Sequence, residues 1–446
     1  MTTSKGFKRL VRARMAKTGE RYAAARRALL RDTPAPPAVE SRPAAYWYRG
    51  GLHPDTSVVA NLLANQGVTS GLTGRPLSEA AILGIGGGLG AGYILWEFQV
   101  RPGPILTLGF RNQWQYPAVP GWLGKTADRL GLELAVHETA GAKAARLTLD
   151  AILDRGTAAA ATVDQQEIGT WAQPPELSGY GGCPVVVAGR SDDGGYLVDD
   201  RGATALVVPA ERMAAARGRI GSYRNRLVEV RPRGPVLAAD GLRSAFRAGL
   251  ADQVEHLGAA SNSFSLPAWR KWSRLMTDTR NAKAWPRVFA GGVGLFDALL
   301  SIVEGVDGGV GAAGGHLREL YAAFLDEAAP ALGQPALGEA AAAWRHAADL
   351  WEELADAAVP TDLEGAADVV EAAEALHDAV MEGEPGRARA AAAAGIAWSI
   401  RTRLADRFPL PPERIEALLA DIGRRLSEIH DAERRALAAT AAAVGG

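Results

Sequence analysis

The stretch Gly50-Gly-Leu-His-Pro-Asp-Thr-Ser-Val-Val-Ala-Asn-Leu-Leu-Ala-Asn-Gln-Gly67 decides how the rest of the chain is read. A glycine pair gives way to a polar helix start and then to an apolar helix, with Pro54 at the first helical position, where its missing N–H costs nothing. The periodicity predicts a helix over 54–66. Enzymes place nucleophiles at such a spot, because a helix amino terminus lowers a thiol's pKa. Here the turn holds His53, Pro54, Asp55, Thr56 and Ser57, with no cysteine among them.

Outward from this helix the sequence alternates helix and strand signals up to about residue 232. "LSEAAILGIGGGLGAGYILWEF" reads as a helix capped by Ser78, a glycine-rich turn and a strand. "ILTLGF" and "LELAVHET" read as strands and "AARLTLDAILDRG" as a helix. "TAAAATVD", "CPVVVAGRSDDGGYLVDD" and "ATALVVP" complete a sheet, with Asp192-Asp193 in a hairpin turn. A helical opening followed by clustered strands points to an α+β fold. From about 237 to 446 every segment has helical period, broken at Pro267, Pro286, Gly305–Gly315, Pro330, Pro360, Pro385 and Pro411. The last three pieces, 363–381, 386–408 and 412–444, are alanine-rich and amphipathic. They read as a bundle and a candidate homo-oligomer surface.

The amino-terminal end differs. Residues 1–31 hold ten Lys/Arg and one acid, Glu20, and read as two short amphipathic helices broken at Thr18-Gly19. Residues 32–45 form a Pro-rich linker. The net charge is −1, so the rest of the chain is acidic, with 39 basic against 49 acidic side chains. A basic arm on an acidic body is a polyanion-docking surface or an arm folded onto its own body.

One cysteine in 446 residues excludes a disulfide framework and a Cys-based metal cluster. No apolar run is long enough for a membrane span, and no signal peptide is read at the start, so a cytoplasmic location is expected. The alanine- and arginine-rich usage matches a high-GC bacterial genome. Gly84–Tyr93 follows a helix, so it lacks the strand context of a dinucleotide fingerprint, and Gly87 and Tyr93 are placed in a turn lining the helix-start cleft. The other histidines, His137, His256, His316, His346, His377 and His430, show no metal-ligand spacing, so neither metal nor cofactor is expected. Five tryptophans, Trp269, Trp272, Trp285, Trp344 and Trp351, recur near helical spacing and read as core. Arg280, Lys283 and Arg318 are candidates for an anionic ligand or for structural ion pairs.

In order along the chain, "GGLHPDTSVVANLLANQG", "LSEAAILGIGGGLGAGY", "VDQQEIGT", "GGCPVVVAGRSDDGGYLVDDRG" and "GGHLRELYAAFLDEAA" resemble the butirosin biosynthesis protein H family. That resemblance implies a papain-like α+β domain over 46–232 followed by an all-helical domain over 237–446. It also implies acyl transfer from an acyl carrier protein or thioester to an amine through a Cys–His pair, in specialised metabolism. The family pattern has His-Cys at the first helix, Gly-Gly-His at a central strand, and an acid on the next strand. Here His53 is kept but the nucleophile position is Pro54, and Gly181-Gly182 are kept but the base position is Cys183. The acid is Asp199 or Asp200.

Proline and cysteine cannot perform the family reaction at these positions, because a thiolate must attack and an imidazole must activate it. The first expectation is therefore a catalytically degenerate member, binding a small acyl or peptidyl ligand or a partner protein. The rival is an enzyme with relocated groups, Cys183 or Ser57 acting with His53. A third is a docking protein that uses its basic arm. Asp164, Gln165, Asp55, Thr56 and Arg318 are further candidates for lining the cleft.

Overall fold

The computed structural model describes residues 46–96, 105–109, 121–307, 313–360, 363–405 and 408–445, together with Lys17. The basic arm and the Pro-rich linker otherwise lie outside the described residues.

Helix α1 (Pro54–Asn65) begins as the sequence implies, with Pro54 at its start and His53 as its cap; the His53 Nδ1 accepts from the Asp55 amide at 3.3 Å. Ten of its twelve residues are buried, so it is a central helix enclosed nearly all round rather than an amphipathic one. Strand β1 (Thr69–Ser70) follows. Helix α2 (Glu79–Ile85) is capped by Ser78, whose Oγ accepts from the Ala81 amide at 2.9 Å. The glycine turn then leads into a two-stranded antiparallel pair, β2 (Gly92–Trp96) with β3 (Ile105–Gly109).

That turn is glycine-rich because neighbours press on it, and the neighbours are not the cleft helix. A Cβ at Gly88, where φ is +67°, would lie 2.0 Å from Gln253 Oε1. One at Gly84 would meet the Phe324 ring. Both contacts come from the carboxy-terminal half.

Next come α3 (Gly121–Leu130), β4 (Glu133–His137), α4 (Ala142–Asp154), β5 (Ala159–Asp164) and a short helix, α5 (Gln165–Ile168). They are followed by β6 (Gly182–Arg190), β7 (Tyr196–Asp199), β8 (Leu206–Val208), α6 (Ala210–Gly218) and β9 (Leu227–Arg231). Six strands form one antiparallel sheet in the order β4-β9-β5-β6-β7-β8. The β6–β7 link is the expected hairpin: Ser191 donates to the Gly195 carbonyl, and Gly194 takes φ +83°. Period-two alternation sorts the β6 side chains. Val186 joins the core that contains α1, while Cys183, Val185 and Val187 face a second cluster with Leu149, Ile152 and Met213.

Strand β10 (Val236–Leu237) pairs in parallel with β1. From there the chain is helical: α7 (Ala239–Gly258), α8 (Pro267–Leu275), α9 (Trp285–Val288), α10 (Leu295–Asp307), α11 (Ala313–His316), α12 (Arg318–Leu332), α13 (Ala336–Ala358), α14 (Ala366–Met381), α15 (Arg387–Ala405) and α16 (Pro412–Gly445). Pro330, expected as a break, sits inside the last turn of α12; the helix ends at Leu332, with Gly333 left-handed behind it. Trp269, Trp272, Trp285, Trp344 and Trp351 are all fully buried, as their spacing predicts.

The change of secondary structure near 232–237 is not a change of core. Trp285 Nε1 donates to Tyr93 Oη at 3.0 Å, and Tyr93 stacks on Trp272 at 5.1 Å. One continuous apolar cluster runs from α1 and α2 through α7, α12 and α13 to α16. No helix among the described residues is long and apolar enough to cross a membrane.

Candidate active site

The start of α1 is held by a carboxylate from α2. Glu79 accepts from the Leu52 amide (2.8 Å), the His53 amide (2.7 Å) and Thr56 Oγ1 (2.7 Å). These amides sit where an attacked carbonyl would look for donors at a helix start. Burial raises the Glu79 carboxyl pKa even so, and the amide bonds from His53 and Leu52 pull against that shift. Ser57 lies one turn beyond His53, but its Oγ donates to the His53 backbone carbonyl at 2.6 Å and is buried. The expected pairing of Ser57 with the His53 imidazole is therefore not made.

His53 is itself buried at 3% exposure. Burial pushes its imidazole pKa well below the ordinary value, and positive charge on Arg201 and on His316 opposes protonation further. Asp55 stands beside it, with a carboxylate oxygen 3.7 Å from Nδ1. Asp55 keeps about a third of its side-chain surface open, yet its walled position pushes its carboxyl up to about 6.

Cys183 lies at the start of β6, paired in register with Val163 and 9% exposed. Burial drives its thiol pKa far up, and the Asp200 carboxylate adds to the shift. The charges of Arg201, Asp55 and Asp164 also reach it. This thiol is held protonated, the opposite of an activated nucleophile.

The sheet register separates the two candidate acids. Asp199 is opposite Val186, on the α1 side. Its Oδ2 accepts from Tyr46 Oη (2.8 Å) and Asn61 Nδ2 (3.1 Å), and burial raises its carboxyl to about 6. Asp200 is one residue on and so belongs to the face that Cys183 occupies. Its charge reaches the Cys183 thiol, but its oxygens are taken. Oδ2 accepts from Thr170 Oγ1 (3.0 Å) and Trp171 Nε1 (3.1 Å), and Oδ1 accepts two bonds from Arg201.

Arg201 completes the arrangement, and the sequence reading missed it. Its backbone adopts φ +65°, unusual for a non-glycine residue, and its amide donates to Asp199 Oδ1 at 2.9 Å. The side chain, 3% exposed, runs back to α1, where Nη1 donates to the Leu52 carbonyl at 3.1 Å. Its guanidinium carbon lies 5.5 Å from the Trp171 ring centre. One cation thus ties the acid on the sheet to the turn before Pro54. The signal in the sequence was a lone arginine directly after Asp-Asp at a strand end.

The remaining candidates divide. Asp164 is 1% exposed and caps α5, accepting from the Glu167 and Gly179 amides. Gln165 lies beside the glycine pair, its amide donating to the Gly181 carbonyl at 2.7 Å. Gly87 is a buried turn residue with φ +103°. Tyr93 and Arg318, expected along the cleft, belong instead to the helical core. Tyr93 is enclosed by Trp272 and Trp285, and Arg318, fully buried, pairs with Glu433 at 2.7 Å. Arg280 and Lys283 lie on an exposed turn whose amides bond Asp278 and Asn281.

Comparison with known families agrees with this layout. Residues 53–201 match the family model of butirosin biosynthesis protein H, N-terminal, and residues 214–387 match a domain of unknown function (DUF4872). The match begins at His53 and ends at Arg201, the two residues that bracket the site. The family suggests an acyltransferase-like function. No curated protein matches the chain.

Proposed function

We propose that this protein is a catalytically degenerate member of its acyltransferase-like family, and that its cleft binds a small acyl or peptidyl ligand. The observation that carries the reading is the pair of exchanged positions. Pro54 offers no attacking atom, and Cys183 offers a buried thiol whose pKa is driven up rather than down. Two further features support it. Glu79 already occupies the amides before α1, and Arg201 occupies Asp200, which in a triad would orient the imidazole. An acyl carrier protein is the partner this reading favours.

Incubation of the full chain with small acyl thioesters, followed by intact-mass analysis, tests the reading. The expected spectrum is that of unmodified protein, together with a rise in melting temperature from reversible ligand binding. A persistent acyl adduct on Cys183 or Ser57 would overturn it in favour of an enzyme with relocated groups. One observation favours a second reading: the Asp55 carboxylate stands 3.7 Å from His53 Nδ1, and desolvation pushes its carboxyl up to about 6, in the range of a general base near neutral pH. Under that reading, thioester turnover without an adduct appears in the parent and disappears in Asp55→Asn.

A further inference from the structure

The two edges of the six-stranded sheet are treated differently. The β8 edge is covered by the chain leaving α14. The Ala203 amide donates to the Met381 carbonyl (2.7 Å), the Glu384 amide to the Ala205 carbonyl (2.9 Å), and the Val207 amide to Glu384 Oε2 (2.9 Å). At the other edge, β4 pairs with β9 on one side, and among the described residues no strand pairs on its outer side. An uncovered edge is a template for another strand. Beside it lies a groove of about 520 Å³, where Leu132, Leu134 and Val136 meet α3 and the rim carries Asp128, Glu133, Glu138 and Arg233. Val136 is 39% exposed there.

We propose that the outer edge of β4 docks a second copy of this chain, strand against antiparallel strand, about a two-fold axis at Ala135. The strand Glu133-Leu-Ala-Val-His137 is complementary to a second copy of itself. Only the register centred on Ala135 pairs all five residues. It sets Glu133 opposite His137 at both ends and Leu134 opposite Val136 at both, so no acid meets an acid. A shift of two residues toward the carboxyl end would put Glu138 opposite Leu134. Glu133 and His137 keep 67% and 36% of their side-chain surface open, although within their own sheet Glu133 lies 3.7 Å from Arg231 and His137 bonds Glu229 at 2.8 Å. The leucine–valine pairs lie on the groove face, where docking would cover Val136. The single axis preserves the sheet's faces, so both copies of α3 stand on the same side.

The full chain can be tested in two ways. Residues directly opposite in an antiparallel pair have Cα atoms about 4.5–5.5 Å apart, within the span a disulfide bridges. Ala135→Cys should therefore cross-link to itself under mild oxidation at least tenfold faster than Leu147→Cys. Leu147 serves as a control because it is 59% exposed, on α4. The native Cys183 is buried and does not compete. In sedimentation velocity, the parent should run as a dimer and Val136→Asp as a monomer, with unchanged circular dichroism. A monomeric parent, a dimer that Val136→Asp leaves intact, or equal cross-linking of the two cysteine variants would each overturn the proposal.

Discussion

Two buried arginine–carboxylate clusters in this molecule share their chemistry and differ in what surrounds them. In the helical half, Arg318 donates to both oxygens of Glu433, and Trp269 Nε1 and Trp351 Nε1 donate to the same carboxylate. The guanidinium also lies against both indole rings, and arginine and glutamate are wholly enclosed. In the α/β half, Arg201 donates to Asp200, Trp171 and Thr170 donate to that carboxylate, and the guanidinium lies against the Trp171 ring. The first cluster is sealed and joins α8, α12, α13 and α16. The second stands beside His53 and Asp55 at the start of α1, and its charges reach the buried Cys183 thiol. The same polar device fastens helices together in one half and ties a sheet end to a helix start in the other.

The comparison is broken most severely at the sealed cluster. Glu433→Ala leaves the Arg318 charge buried without its partner, a loss of about 3–5 kcal/mol. Thermal or urea unfolding should show that loss or a failure to fold, whereas Glu433→Gln should fall between this variant and the parent. The cleft cluster should be more forgiving. Arg201→Ala leaves Asp200 its Thr170 and Trp171 donors, so a cost of about 2–3 kcal/mol is expected in the same measurement. A cost equal to that of Glu433→Ala would mean that Arg201 is as deeply structural as Arg318.

Asp199 sharpens the contrast through pH. Its folded pKa, raised to about 6, exceeds the ordinary carboxyl value of 3.8. The folded state therefore holds this proton more tightly than the unfolded state. The stability that Asp199 contributes is fully present below pH 4 and is lost as pH rises through 6. Relative to Asp199→Asn, the parent should lose on the order of 2 kcal/mol between pH 4 and 7. A parallel pair of stability curves would remove the assigned burial effect. The smallest effect is expected at Cys183. Cys183→Ala removes one small buried group, costing about 1 kcal/mol or less in chemical denaturation.

The sequence made much of the scaffold legible, because the relevant signals are local. His53-Pro54 and Ser78 begin helices through contacts two or three residues away, and the Asp-Asp-Gly-Gly turn closes its own hairpin. The five tryptophans announce burial by type and spacing. What escaped was long-range. Glu79 looks like an ordinary first-turn acid, and nothing local says that it reaches 26 residues back to the His53 amide. Arg201 becomes a bridge only when the end of β7 is laid beside the start of α1. Tyr93 and Arg318 were misplaced because the glycine turn leans on the helical half rather than on α1, and no periodicity reports which surface a turn meets. Asp199 and Asp200 could not be told apart until the register assigned each to a face.

Under the proposed function, Pro54 and Cys183 stand where a thiol and an imidazole would react. Restoring them in one variant, Pro54→Cys with Cys183→His, tests it most directly. The introduced thiol would stand at the positive end of the α1 dipole, with an imidazole next to Asp200 to stabilise its anion. Its alkylation by iodoacetamide should be faster below pH 7 than that of the parent thiol, with Pro54→Cys alone in between. Intact mass should then show one acyl group gained from a thioester by the double variant and none by the parent. A double variant that alkylates like a free thiol of pKa near 8.5 and gains no acyl group would contradict the account.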